Sequence, residues 1–310
     1  MTSALYDRLL PRWRPRQALR PTRSPSGRPA ARITWLGTAG HVIETPGATL
    51  LIDPHVTRPG FGKLLLRRLR PDDAAIRAWV PPKVDAILCG HSHYDHLLDA
   101  PRIALLTGAK LVGSRSTCAF ARAEGVPDAQ LVCVPPEGAT VKVGDAEARF
   151  VPSLHGRIFM GRVPLPGEVL RAPRLPARAW HYKMGGAFGI LVRARGVSVY
   201  HNGSADLVDA ELAGERADVL LVGLAGRQGT RDYVRRLLEA LRPGLVVPTH
   251  HDAFFAPLED GVRLLPGIDL DGFAREVSAL APRATIVAPE YGERVDVDPD
   301  EPRAAAIARA

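Results

Sequence analysis

The chain has 310 residues, of which 46% are hydrophobic and 24% charged, enough to bury one large core or two small ones without staples. No run approaches the roughly 18 consecutive apolar residues of a membrane-spanning helix, and the start MTSALYDRLLPRWRPRQALR lacks the apolar stretch of a secretory leader. The net charge of +8 is concentrated near the start, where residues 1–32 carry eight arginines against Asp7 alone, so the basicity describes an arm and not a domain.

That arm, residues 1–31, reads as a solvated Pro/Arg segment and a candidate contact for anionic lipid at a membrane surface, with nucleic acid ranking below lipid. From Arg32 the pattern changes to short β runs at Ile33 to Leu36, His41 to Glu44 and Thr49 to Ile52, which predict a strand meander. Val84 to Cys89 is a short buried strand. Beyond it, Pro101 to Leu106 and Ser114 to Ala123 read as helices, Lys110 to Gly113 and Leu131 to Val134 as strands. Ala187 to Val192 and Val197 to Tyr200 form a strand pair around Gly196, followed by buried strands at Val219 to Val222 and Leu245 to Val247. Between the last two, Thr230 is the expected N-cap of a helix whose Val234, Leu237, Leu238 and Leu241 make one apolar face, and Pro243-Gly244 stops it. Meandering strands followed by strand and helix alternation predict helix-covered sheets in one domain, residues 32–296, with a tail at 297–310.

Two stretches do not read as framework. Residues 58–70, RPGFGKLLLRRLR, mix Phe61 and four leucines with five cations; residues 157–183 carry six cations against Glu168 alone, with four prolines. Both are candidate surface loops or lids. The three cysteines, Cys89, Cys118 and Cys133, have no metal-binding spacing and suggest neither a zinc knuckle nor a disulfide framework, which fits a reducing cytoplasm.

The chemistry concentrates after the strand Val84 to Cys89, where Gly90 is followed by His91-Ser92-His93-Tyr94-Asp95-His96. In extended chain, residues i and i+2 point the same way, so His91 and His93 can present two imidazoles to one point. Imidazole nitrogens and a carboxylate suit Zn²⁺, which brings the pKa of a bound water near neutrality and turns it into the nucleophile.

This motif, with ITWLGTAGHVIE and TLLIDPH before it and LVVPTHHDAF after it, resembles the metallo-β-lactamase-like hydrolases over most of residues 32–290. The resemblance implies a four-layer αββα sandwich, an α/β fold, with metals at one edge between the sheets. It implies that His91, His93 and His155 hold a first metal and Asp95, His96 and His250 a second, with Asp95 also catalytic in orienting or deprotonating the water. Where the family has a bridging aspartate after Gly, this chain has Ser204, so the bridge is either Asp206, two residues on, or a water; Asp206 as a helix cap is nearly as good a reading. His55, His181 and His251 are weaker candidates for the pocket lining, and His41 reads as a core histidine. One or two zinc ions are implied, with Mn²⁺ or Fe as substitutes.

The wording SHYDHL, WLG and THHDAF is nearest to the branch holding N-acyl-phosphatidylethanolamine phospholipase D and the ascorbate-6-phosphate lactonases, which act on phosphate-bearing substrates. Arg157, Arg162, Arg171, Arg174 and Arg178 suit phosphate oxygens, and Phe159, Met160, Leu165, Leu170 and Trp180 suit a greasy substituent. The expected function is hydrolysis of an ester, lactone or phosphodiester bond in an anionic, lipid-like small molecule. A metal-dependent nuclease of the same fold and a non-enzymatic binding protein with a degenerate site are the rivals.

Overall fold

The computed structural model describes residues 9–16, 19–20, 29–298 and the backbone of 305–309; the rest of the arm and tail lie outside the described residues. The expected meander is β1 (Ala31–Gly37), β2 (Gly40–Thr45) and β3 (Ala48–Ile52), paired antiparallel. Two short helices follow, α1 (Phe61–Leu66) and α2 (Asp73–Trp79), the second capped by the Asp72 carboxylate, which accepts from Ala74 and Ala75 N–H. β4 (Ala86–Leu88) runs parallel to β3 and leads through α3 (Tyr94–Leu97) and α4 (Ala100–Thr107) to β5 (Lys110–Gly113). α5 (Arg115–Glu124), capped by the Ser114 hydroxyl, then connects to β6 (Leu131–Cys133).

The second sheet opens with antiparallel β7 (Ala139–Val143), β8 (Ala146–Ser153), β9 (Ala187–Ala194) and β10 (Val197–Asn202). β11 (Val219–Gly223), α6 (Tyr233–Leu241), β12 (Leu245–Thr249), α7 (Leu270–Leu280) and β13 (Thr285–Ile286) continue it in parallel. β14 (Glu293–Val297) returns to pair with β1, and β15 (Ala305–Arg309), in the segment read as a tail, pairs with β14. The sheets thus have orders β15-β14-β1-β2-β3-β4-β5-β6 and β13-β12-β11-β10-β9-β8-β7.

Because both faces of each sheet are covered, successive side chains of one strand enter different cores. Leu50, Ile52, Leu88 and Val112 meet Phe150, Ile190, Leu221 and Val247 between the sheets. Leu51, Ile87 and Leu111 pack outward on Ile103 and Phe120, while Leu220, Val222 and Val246 pack outward on Leu237 and Phe273. Helix, sheet, sheet and helix are the four layers of the predicted αββα sandwich. Packing between strands is tight at Gly189, where a Cβ would lie 1.9 Å from the hydroxyl oxygen of the fully buried Tyr200. Gly189→Ala should therefore cost about 1–3 kcal/mol in urea unfolding; an unchanged midpoint would mean that Tyr200 can move aside.

Four local expectations change. Thr230 does not cap α6: its hydroxyl donates to Ala205 O, and Asp232, at φ 50°, occupies the cap position without a side-chain bond. The 58–70 stretch is not all loop, since α1 forms within it, with no buried side chain to reveal it as periodicity. Cys118 and Cys133 form a disulfide, with Cα atoms 6.0 Å apart, because α5 packs back on the strand that follows it; Cys89 stays a buried free thiol. In the arm, Leu10 and Leu19 are buried, and Arg16 and Arg20 pair with Asp271 and Glu293.

Candidate metal centre

The strand order brings the C-terminal ends of β3, β4, β8, β10 and β12 to one edge of the sandwich, the usual location of ligand sites in sheets with parallel strands. β4 ends at Leu88, and the loop after it carries His91 and His93, the latter extended (φ −64°, ψ 155°) as the N-cap of α3. Asp95 and His96 then lie in the first turn of that four-residue helix, which is why one short segment can offer four donors. His155 follows β8 and His250 follows β12 on the other sheet.

These residues converge. His91, His93 and His155 place one ligand atom each within 4.8 Å of one another, as do Asp95, His96 and His250. A third set, Asp53, His91 and His96, overlaps both. Within the second set, Asp95 Oδ2 is 3.3 Å from His250 Nε2 and 3.8 Å from His96 Nε2. The two sets abut, with the His91 and His96 ring centroids 3.7 Å apart.

Backbone and carboxylate oxygens lie against three of the five imidazoles. His155 Nδ1 lies 2.8 Å from Gly156 O and His93 Nε2 lies 3.1 Å from Pro164 O, leaving the opposite nitrogen of each ring for ligation. His96 Nδ1 lies 2.9 Å from Asp53 Oδ2, so its Nε2 faces Asp95. Asp53, at φ 43°, also accepts from Gly90 N–H at 2.7 Å, tying the ends of β3 and β4 together. His250 is likewise held at positive φ (51°), with its N–H donating to Thr38 O. Strained backbone of this kind persists where the surroundings over-determine it, as they do here.

The donor chemistry fits a metal. Burial, reinforced by neighbouring imidazoles, pushes the His91 pKa well below its ordinary value, and burial lowers those of His93 to about 3 and His155 to about 4, so all three rings are neutral with lone pairs available. Burial alone would raise the Asp95 pKa, but His96, His250 and His93 outweigh it and hold the carboxyl ionised. His91 Nε2 is buried without a hydrogen-bond partner, the state expected of a nitrogen that binds an ion.

The other candidates fall elsewhere. Asp206 is not brought to the cluster: its Oδ1 accepts from Leu207 N–H and lies 3.7 Å from the Arg236 guanidinium, because the chain turns at Ala205 (φ 57°). Nor does it cap the following turn, a 3₁₀ helix at Asp209–Leu212 whose cap is Val208. The Ser204 hydroxyl donates to Leu154 O. His55 is buried near the cluster with Nε2 3.3 Å from Phe254 O, and burial lowers its pKa to about 3. His181 is exposed beside Trp180 and belongs to none of the three ligand sets, and His251 stacks on Trp35 with ring centroids 4.6 Å apart. Two groups escaped the sequence reading. One is Asp53, signalled only by the Asp-Pro after β3; the other is the buried set Arg58, Asp252 and Tyr291, in which Asp252 binds Arg58 at 2.9 Å and Tyr291 Oη at 2.7 Å.

Asp53→Asn should weaken metal binding about 10- to 100-fold, the usual effect of losing the group that orients a ligand. Competition with a chromophoric chelator measures it, and unchanged affinity would show that Asp53 does not orient His96.

A helix-covered pair of sheets with an all-His triad and an Asp/His triad at one edge defines a metal-binding protein, and the comparisons supply its class. A model of the beta-lactamase superfamily domain matches residues 32–250, and the chain belongs to that superfamily. It is 32% identical to a UPF0173 metal-dependent hydrolase of Pyrobaculum arsenaticum, over 72% of this chain and 85% of the relative. A second such hydrolase, from Methanopyrus kandleri, is 30% identical over 84% of this chain and 98% of its own. Among solved structures, Igni18, a metallo hydrolase of Ignicoccus hospitalis, matches with a TM-score of 0.56 at 20% identity, covering 86% of this chain and 97% of that one. The chain is accordingly an enzyme, a metal-dependent hydrolase of this family.

Proposed function

We propose that the enzyme hydrolyses an ester, lactone or phosphodiester bond in an anionic, lipid-like small molecule, using zinc. The observation that carries this reading is the seating of the basic insert on the metal loop. Pro164 O meets His93, and the Ser92 hydroxyl donates to Lys183 O at 2.6 Å, so the segment bearing Arg157, Arg162, Arg171, Arg174 and Arg178 borders the cluster. Guanidinium groups there suit a phosphate or carboxylate of the substrate.

Bound at these residues, the metal would acidify water and polarise the scissile bond. Asp95, kept ionised 3.3 Å from His250 Nε2, would orient or deprotonate that water. With Ser204 and Asp206 both turned away, the two triads share no carboxylate bridge from this segment, and we assign the tighter site to His91, His93 and His155. The test is chelator stripping followed by addition of Zn²⁺, Mn²⁺ or Fe²⁺, read on generic lactone and phosphodiester substrates. Zn²⁺ should restore activity; no activity with any of them would overturn the proposal.

A cytoplasmic location belongs to the same reading. No helix among the described residues is long and apolar enough to cross a membrane. The Cys118–Cys133 bridge argues the other way, and peptide mapping of alkylated protein taken directly from cells decides between them.

A further inference from the structure

The two segments that sequence set apart as inserts meet on one face of the molecule. Leu69 N–H donates to Ala177 O at 2.7 Å, Arg68 to Pro176 O at 3.0 Å and Arg178 to Leu66 O at 3.3 Å. Together these segments hold most of the large apolar side chains that the described residues expose: Phe61, Leu65, Leu66, Met160, Leu170 and Trp180. Phe61, Leu65 and Leu66 are 56%, 52% and 71% exposed within one six-residue helix, a contiguous apolar group of the kind that marks an interaction surface. Of the leucines of α1 only Leu64 rests, partly buried, on the core, so packing does not explain Leu65 and Leu66.

Charge accompanies the apolar groups. Lys63, Arg67, Arg68 and Arg70 are exposed and make no ion pair among the described residues, while Arg178 lies over the Trp180 ring at 5.0 Å. A cavity of about 810 Å³ beside α1 is lined by Lys63, Arg67, Arg68 and Arg70 together with three acids, of which Asp73 pairs with Arg102, Asp72 caps α2 and Glu124 interacts with Arg102 and Arg70. Aliphatic and aromatic tips set beside Lys63, Arg67 and Arg68 match the acyl and headgroup layers of an anionic bilayer. Among the described arginines of the arm, Arg16 and Arg20 are engaged with Asp271 and Glu293 instead.

We infer that the face formed by α1 and residues 170–180 docks on an anionic phospholipid bilayer. Rings connect this face to the metal centre: Phe61 lies 5.6 Å from Phe255, Phe255 5.7 Å from Phe254, and Phe254 5.4 Å from His250. Docking would therefore bring the metal centre within three ring contacts of the membrane surface. The inference stands apart from the proposed substrate, because vesicle binding is read without catalysis.

The test is cosedimentation of the full chain with vesicles of equal parts phosphatidylglycerol and phosphatidylcholine, against phosphatidylcholine alone. The wild type should bind the anionic vesicles. The variant Lys63→Glu/Arg67→Glu/Arg68→Glu should bind at least about a hundredfold more weakly, from about fivefold per lost cation, and Leu65→Ser/Leu66→Ser should lose binding even at low salt. All replaced groups are exposed, so both variants should keep the wild-type melting profile and its metal content. Failure of the wild type to bind, or equal binding by either variant, overturns the inference. So does binding that Leu65→Ser/Leu66→Ser leaves intact while RNA competes it away, which would mark a polyanion site. Loss of vesicle binding with hydrolysis of a soluble substrate intact separates this inference from the proposed function.

Discussion

Alanine at His93 should lower kcat/KM by about a thousandfold and reduce the bound metal, because losing several kcal/mol of electrophilic stabilisation costs tenfold per 1.36 kcal/mol. His93 comes from the first sheet's loop; His155, its partner in the same triad, comes from the second. His155→Ala should therefore have a similar effect, and the double variant should be little worse than either, since ligands of one ion act as a unit. Metal content by elemental analysis is the decisive readout: a variant that keeps its full metal complement and its activity would remove His93 from the centre. Melting profiles exclude the trivial explanation, because His93 packs only at the cleft and its ring contacts are other imidazoles and the Pro164 carbonyl.

What was legible in the sequence was what is local in it. Four donors within six residues announce themselves at His91 to His96, and the strand before them is a plain apolar run. His155 and His250 lie on the other sheet and were reached only through the resemblance to a family, because nothing in ARFVPSLH or LVVPTHH marks a ligand by itself. Asp53 was missed for the opposite reason. It stands 43 residues before His96 only along the chain; in space β3 and β4 are parallel neighbours, and their ends lie side by side. Asp206 fails because distance in sequence does not specify direction: one residue at positive φ, Ala205, sends its carboxylate to Arg236. α1 is hidden because a helix that rests only Leu64 on the core leaves no apolar periodicity, and the exposure of its other apolar side chains makes it a candidate docking surface.

The second large effect is expected at a pair that touches no ligand. Arg58 follows β3 on the first sheet and Asp252 follows β12 on the second, and their side chains are 3% and 0% exposed. Asp252 also accepts from Thr38 N–H at 2.8 Å, and Thr38 O in turn receives the N–H of His250, so the pair braces the loop that presents that ligand. Arg58→Met keeps much of the bulk but leaves a buried carboxylate without its cation, which should cost about 3–5 kcal/mol at neutral pH. Burial raises the Asp252 pKa, yet Arg58, His251 and Tyr291 together bring it below the ordinary value, so the wild-type contribution is present above the carboxylate range and is lost as pH falls through the lowered value. In the variant the sign reverses, because burial then dominates and protonation relieves the unpaired charge. Urea unfolding should accordingly show a deficit that is largest at neutral pH and shrinks in mild acid. Arg58→Met/Asp252→Leu should recover much of the loss, since removing both charges avoids the stranded one. A deficit independent of pH, and undiminished in the double variant, would mean that Arg58 stabilises by packing on Tyr291, 5.5 Å beneath it, and not by its charge.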